Sequence, residues 1–345
     1  MGNIGDEAIL MGLKKFLSEK LPQPEITVMG NGSLFPFGLR SGLRSFINWN
    51  LWIKPLRMMR SSDLFILGGG GLFTDEEAWF VPAFWALHGL MAAVYGKPVF
   101  CVGVSVHELV GINKWLTKML FSLAKYVMVR DLPSHKILSE WGIQSVLGSD
   151  LSLFLSKPPG GVECTEKYAV AVFRDFHNFS ENMYKKVAQL LDSITVNYGL
   201  KIKFLTFQAA YKNDSAVLYK IFDLSDKKEK LEILGAELNT AMIIEIFGQA
   251  EFVIAMRLHA GILALVTETP FFPISYMSKV SSFWSEFGSI DVSEFNEDGL
   301  DKLHGFIVQS LPSRAESIAR LTGIKSVLAN RLSCAGELLI SALQK

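Results

Sequence analysis

Phe252-Val253-Ile254-Ala255-Met256-Arg257-Leu258-His259-Ala260-Gly261-Ile262-Leu263-Ala264-Leu265-Val266 reads as a short apolar strand, Phe252–Ala255, a basic junction, and an apolar helix, Leu258–Val266. The same order recurs on both sides. Further strands are expected at Asp63–Leu67, Pro98–Val104, Tyr126–Val129, Ser145–Leu147, Tyr168–Phe173, Lys201–Phe207, Leu231–Leu234 and Phe271–Tyr276. Helical patterns fall between them at Glu76–Tyr95, Lys114–Ala124, Ser134–Glu140, Glu181–Tyr198, Ser215–Leu224 and Thr240–Gln249. Such alternation is the signature of parallel, doubly wound sheets, so the expected class is α/β.

The chain has 345 residues, long for one core, and two domains of ordinary size are expected. Turn formers at Lys157-Pro158-Pro159-Gly160-Gly161 place the boundary there. The resulting division is 1–156, 162–300 and a helical tail at 301–345. Thr74, with Glu77 three residues on, suggests a capping box for the helix after the glycine run. The segment Gly2–Glu7 looks like a loop feeding a helix. A doubly wound domain normally opens with a strand, so a missing first strand is expected.

Lysine and arginine total 34, as do aspartate and glutamate, so no global field attracts nucleic acid. Cys101, Cys164 and Cys334 are too sparse for a disulfide scaffold and suggest a reducing, cytoplasmic setting. No signal peptide is read at the start. Ala78–Val94 is strongly apolar but carries Pro82 and His88, and falls short of the roughly 20 apolar residues of a membrane span. A buried helix is the better reading. Between Ile26 and Ser62 stand Arg40, Arg44, Lys54, Arg57 and Arg60 with no acid, interleaved with Phe46, Trp49 and Trp52. Docked surface helices, a face toward anionic lipid through 40–60, and a platform for sugar rings all fit this pattern.

Ligands of open α/β sheets bind outside the carboxyl ends of the strands. Gly68-Gly69-Gly70-Gly71, Arg130-Asp131, Arg174-Asp175 and Arg257-Leu258-His259 follow strands, and Lys279 lies just beyond another. Cations thus collect where a ligand would lie. Arg257 and His259 also fall at a helix N-terminus, where free N–H groups favour an anion. Gly69 and Gly70 have two readings, a tight packed turn or an anion cradle. For Arg130 and Arg174 the alternative is an internal pair with the following aspartate, and for Lys279 a solvated loop. Asp75-Glu76-Glu77 could ligate a divalent ion, but a capped first helical turn explains the same acids more simply. No G-x-S-x-G, H-E-x-x-H or Cys/His metal spacing occurs, and no metal is expected.

Several of these segments, in order, resemble the polysaccharide pyruvyl transferase family. They are Gly2-Asn3-Ile4-Gly5-Asp6-Glu7-Ala8, Asp63 to Leu72, Val129-Arg130-Asp131 with Ser134, and Ser149-Asp150. Arg257-Leu258-His259-Ala260 follows, then Pro270, Tyr276 and Lys279-Val280. The resemblance implies two Rossmann-like lobes in a GT-B-like arrangement, with the acceptor on the N-terminal side and the donor on the C-terminal side. It implies transfer of pyruvate from phosphoenolpyruvate onto two hydroxyls of one sugar, forming a ketal and releasing phosphate, with no cofactor. The acceptor would belong to a cell-surface polysaccharide or its lipid-linked precursor. A donor with a phosphate and a carboxylate calls for cations. On this reading Arg257, Arg174 and Lys279 hold the donor, Arg130 adds an anion contact, and Asn3, Gly69 and Gly70 line the site. His259 is the candidate acid or phosphate partner, and Asp75 or Asp6 the base for the acceptor hydroxyl. Two other classes fit: a GT-B glycosyltransferase using a nucleotide sugar, and a non-enzymatic relative in a glycan-assembly complex.

Overall fold

The computed structural model describes residues 3–29, 50–76, 79–157, 166–176, 179–208, 214–235 and 237–344. The chain forms two compact units. An N-terminal unit comprises Ala8–Phe154 and Leu328–Lys345, and a C-terminal unit comprises Met1–Glu7 and Leu155–Val327.

The N-terminal unit alternates helix and strand. Its elements are α1 (Ile4–Lys20, from Ala8 onward), α2 (Asn50–Ser61), β1 (Phe65–Phe73), α3 (Val81–Val94), β2 (Val99–Val106), α4 (Gly111–Leu123), β3 (Tyr126–Val129), α5 (Leu132–Glu140) and β4 (Val146–Leu147). The strands pair in the order β1-β2-β3-β4, all parallel. A parallel sheet is covered on both faces, so its strands read as continuous apolar runs. The alternation of side chains along a strand divides the core in two. Cys101 and Val104 of β2, with Val127 and Val129 of β3, pack under α3 and α4 through Leu90, Leu120 and Phe121. Phe100, Val102, Tyr126 and Met128 face the other way, against Ile9, Leu13 and Phe16 of α1 and against Leu332, Ala335 and Leu339. The end of the chain supplies part of that second cover, and the Tyr126 hydroxyl donates to the Ala335 carbonyl at 2.6 Å.

That packing explains a difference from the expected division. The segment 301–345 is helical but is not a separate tail: Val327 and earlier residues group with the C-terminal unit, Leu328–Lys345 with the N-terminal unit. Met1–Glu7 likewise groups with the C-terminal unit.

The glycine run is also placed differently. Gly68–Gly71 lie inside β1, with Gly68 opposite Val102 and Gly70 opposite Val104, and the register slips between Gly70 and Phe73. A Cβ on Gly69 would stand 2.7 Å from the Gly103 carbonyl oxygen, and Gly70 has φ +116°. Two backbones approach too closely for a side chain at Gly69, and Gly70 adopts a conformation only glycine takes easily. Strand packing therefore accounts for both residues, and the expected anion cradle is not needed to explain them. The helix that follows starts later than the capping box suggested. Thr74 Oγ1 accepts from Glu76 N at 3.2 Å, but α3 begins at Val81, with Pro82 in its first turn.

The C-terminal unit holds β5 (Tyr168–Val172), α6 (Glu181–Tyr198), β6 (Lys201–Leu205), α7 (Asp214–Leu224), β7 (Leu231–Leu234), α8 (Thr240–Gln249), β8 (Val253–Ala255), α9 (Leu258–Val266), β9 (Phe271–Ser275), α10 (Ser278–Ser285), β10 (Ser293–Glu294), α11 (Glu297–Ser310) and the part of α12 (Arg314–Leu343) up to Val327. Local chemistry sets several ends: Ser180 accepts from Met183 N to cap α6, and Gly199, at φ +65°, closes it in the left-handed conformation. The sheet order is β10-β9-β8-β5-β6-β7, all parallel. The chain winds outward from β5 through β6 to β7, then returns to β8 on the opposite side of β5. The switch point of this sheet therefore lies between β5 and β8.

Among the described residues no helix is long and apolar enough to cross a membrane. The Ala78–Val94 stretch contains α3, whose Pro82, Phe84, Ala86, His88 and Leu90 are buried. Of the 40–60 segment, residues 40–49 lie outside the described residues; α2 continues it and sends Met59 into the core.

Candidate functional site

The switch point of the C-terminal sheet is where an open α/β fold leaves room for a ligand. Arg174 follows β5 and Arg257 follows β8, so the two guanidinium groups come from the strands that flank this point. Arg257 is 7% exposed and caps the start of α9 in extended conformation. Its Nε donates to Asp214 Oδ2 at 3.1 Å, and its Nη2 reaches Asp214 Oδ1 at 2.8 Å and Oδ2 at 2.6 Å. Nη2 also donates to Gln208 Oε1 at 3.1 Å. Asp214 and Gln208 thus hold Nε and Nη2, one edge of the fork.

Asp214 opens α7 and is fully buried. Burial raises its carboxyl above the ordinary aspartate range, and the adjacent Arg257 and Arg174 pull it back down. Asp175 N also donates to it, at 3.4 Å. Arg174, 5% exposed, donates from Nη1 to the Tyr276 hydroxyl, and its Cζ lies 4.5 Å from the centre of the Tyr276 ring. Phe176 packs on the same ring at 5.3 Å. Tyr276 follows β9 and Gln208 lies beyond β6, so four adjacent strands, β9, β8, β5 and β6, each contribute a polar side chain from their carboxyl ends.

His259 is the second residue of α9 and is half-buried. Gly5 lies against it: a Cβ there would come within 2.3 Å of His259 Nδ1. The opening motif thus reaches the site through its lack of a side chain. It is held by Asn3, which bridges to Gln208, by Ile4 N donating to the Phe207 carbonyl at 3.0 Å, and by Gly5 N donating to Asn3 Oδ1 at 3.0 Å. Glu7 completes the anchoring by accepting from Thr240 N, at the start of α8, at 3.3 Å. Asp6 is exposed in the first turn of α1. Lys279 is half-buried in the first turn of α10, directly beyond β9 and Tyr276.

Of the expected site residues, the C-terminal unit brings Arg257, Arg174, His259 and Asn3 around one junction, with Lys279 beginning the next helix. Two others have different surroundings. Arg130, in the N-terminal unit, is 2% exposed and donates to Ser105 Oγ and to Asp150 Oδ2 at 3.2 Å, with Asp131 at 3.6 Å. Its charge is compensated inside the protein, the arrangement that the internal-pair alternative describes. Asp75 accepts from Val110 N at 2.9 Å and from Asn113 Nδ2 at 2.5 Å. Its carboxylate secures the start of α4. Asp214, Gln208 and Gly5 were not among the expected residues. Gln208 carried a signal in following a strand as the arginines do, and Gly5 in belonging to the opening motif.

Among the described residues no group of three or more His, Cys, Asp or Glu side chains is placed to hold a metal ion. The family model of the polysaccharide pyruvyl transferases matches residues 3–278. The chain belongs to the polysaccharide pyruvyl transferase family. Within that transferase family its fold is of the GT-B type. A UDP-N-acetylglucosamine 2-epimerase described as putative, from Listeria monocytogenes, is similar with a TM-score of 0.66 at 10% identity, covering 100% of this chain and 94% of the other. The UDP-GlcNAc 2-epimerase of Neisseria meningitidis bound to UDP-GlcNAc gives 0.59 at 12% identity, covering 97% and 89%. That of Methanocaldococcus jannaschii gives 0.56 at 14%, covering 87% and 88%. At these identities the likeness is one of fold. No curated protein matches this pyruvyl transferase family member in sequence.

Proposed function

We propose that the protein transfers pyruvate from phosphoenolpyruvate to a saccharide, forming a ketal. The observation that supports this most is the pair of arginines, Arg174 and Arg257, flanking the switch point in a family of pyruvyl transferases. Arg174 and Arg257 both act on the buried Asp214 carboxylate, and Lys279 stands on the next helix. Such a site suits a compact dianion carrying both phosphate and carboxylate. Arg257 presents Nη1 while Asp214 and Gln208 hold the rest of its fork. Arg174, braced on Tyr276, and Lys279 take the second acidic group. The N-terminus of α9 adds its own N–H groups.

In the reaction, His259 protonates the methylene carbon of phosphoenolpyruvate, making its neighbouring carbon oxocarbenium-like. A sugar hydroxyl adds to that carbon and gives up its proton, restoring the donor. The carbon–oxygen bond to phosphate breaks, a second hydroxyl of the sugar adds, and its proton leaves with the phosphate. One methyl ketal and one phosphate result. Asp6 is the acidic candidate for relaying the first hydroxyl proton back to His259. The acceptor is a cell-surface polysaccharide unit or its lipid-linked precursor.

The test is release of phosphate from phosphoenolpyruvate, measured with and without saccharide acceptors. Acceptor-dependent release together with a ketal in the product supports the proposal. A second reading, nucleotide-sugar chemistry, draws on the epimerase fold shared with this chain. Thermal stabilisation by UDP-GlcNAc and none by phosphoenolpyruvate would favour that reading instead.

A further inference from the structure

In the N-terminal unit, α4 buries one face through Asn113, Leu116, Thr117, Leu120 and Phe121. At about 100° per residue, Ile112, Trp115, Met119 and Leu123 form a second stripe, beside the buried one. Ile112 is 59% exposed, Trp115 57% and Leu123 58%, and Val110, just before the helix, is 73% exposed. A surface helix needs one apolar stripe to face its own core; α4 has two. Single exposed apolar residues are ordinary, whereas a contiguous stripe marks a place of contact.

The chemistry along the stripe narrows the partner. Lys118 falls on the flank beyond it and the helix contains no acid, while Lys114, further round the helix, lies over the Trp141 ring at 5.7 Å. Trp115 sits at the border between the apolar stripe and Lys118. Indole rings favour the headgroup level of a bilayer, and lysine stems lie along apolar surface while their charges reach outward. The exposed Glu108 lies before the helix, so attraction to anions is concentrated along the lysine-bearing turns. A stable protein partner would need roughly 800 Å² on each side, and one face of a 13-residue helix is a narrow strip for that. We propose that α4 docks the protein on an anionic phospholipid surface through Ile112, Trp115 and Leu123, with Lys118 meeting the headgroups. This is a different element from the 40–60 segment, and it does not depend on the transferase reading.

The experiment is co-sedimentation of the full chain with phosphatidylcholine vesicles, with and without phosphatidylglycerol. Wild type is expected to bind only the phosphatidylglycerol vesicles, and less at high salt. Reversing the flanking lysine (Lys118→Glu) should weaken binding roughly fivefold or more, since one lysine near such a surface is worth about fivefold. Ile112→Ser with Trp115→Ser should abolish binding while circular dichroism and thermal melting stay unchanged, because both side chains are exposed. Three results would overturn the proposal. They are absence of wild-type binding, binding that persists in the serine variant, and a dimer in sedimentation equilibrium that the serine variant dissolves, which would make the stripe an interface between copies.

Discussion

Replacing Asp214 by alanine is expected to destabilise the C-terminal unit by about 3–5 kcal/mol, the cost of leaving a buried charge without its partner. Asp214 is fully buried and holds two nitrogens of Arg257. Without it, the guanidinium keeps its charge, loses its counter-charge and stays shielded from water. Gln208, one neutral acceptor at 3.1 Å, does not replace a carboxylate. Urea unfolding followed by tryptophan fluorescence measures this, since Trp284 is fully buried in the same unit. Asp214→Asn, which preserves the shape, should destabilise less yet still weaken phosphoenolpyruvate binding, because Nη1 is no longer oriented. An alanine variant within about 0.5 kcal/mol of wild type, the range of ordinary surface changes, would show that the Arg257–Asp214 pair is not a structural hinge of the site.

The second large effect concerns His259. On the proposed reaction, His259→Ala removes the positioned proton donor and should lower kcat by roughly 10²- to 10⁴-fold. Phosphoenolpyruvate binding should fall much less, because the arginines remain. Acceptor-dependent phosphate release and equilibrium binding, measured on the same variant, separate the two. A loss confined to binding would assign His259 to holding phosphate. Unchanged turnover would remove it from the chemistry. Gly5 frames this result: its missing side chain lets the backbone lie against the imidazole, so the histidine is confined from the side of the opening motif.

The strand-to-helix order was legible because buried parallel strands announce themselves as short apolar runs, and Tyr126–Val129, Leu231–Leu234 and Leu258–Val266 came out with the expected bounds. What the sequence hid was non-local. The glycines of β1 interrupt the apolar pattern, yet pairing with β2 continues to Phe73. Arg130-Asp131 and Arg174-Asp175 look alike as dipeptides. Arg130 is enclosed by Asp150 and Ser105, whereas Arg174 reaches Tyr276 across 102 residues of sequence. Asp214 resembles an ordinary acid at a helix start, and only the sheet order brings it to an arginine 43 residues away. Placement at a strand end was therefore enough to nominate cations, but the partners that surround each one come from distant parts of the chain.

On the proposed function, the switch point between β5 and β8 binds phosphoenolpyruvate through Arg174 and Arg257. Calorimetric titration of wild type and Arg174→Ala with phosphoenolpyruvate tests it directly, and Arg174 is the cleaner choice because Arg257 is locked to a buried acid. Loss of charge-assisted hydrogen bonds worth about 1.5–3 kcal/mol predicts a 10- to 150-fold weaker Kd in the variant, with inorganic phosphate competing in wild type. Saturable binding of equal strength in both proteins, or binding of UDP-GlcNAc with none of phosphoenolpyruvate, would contradict the account.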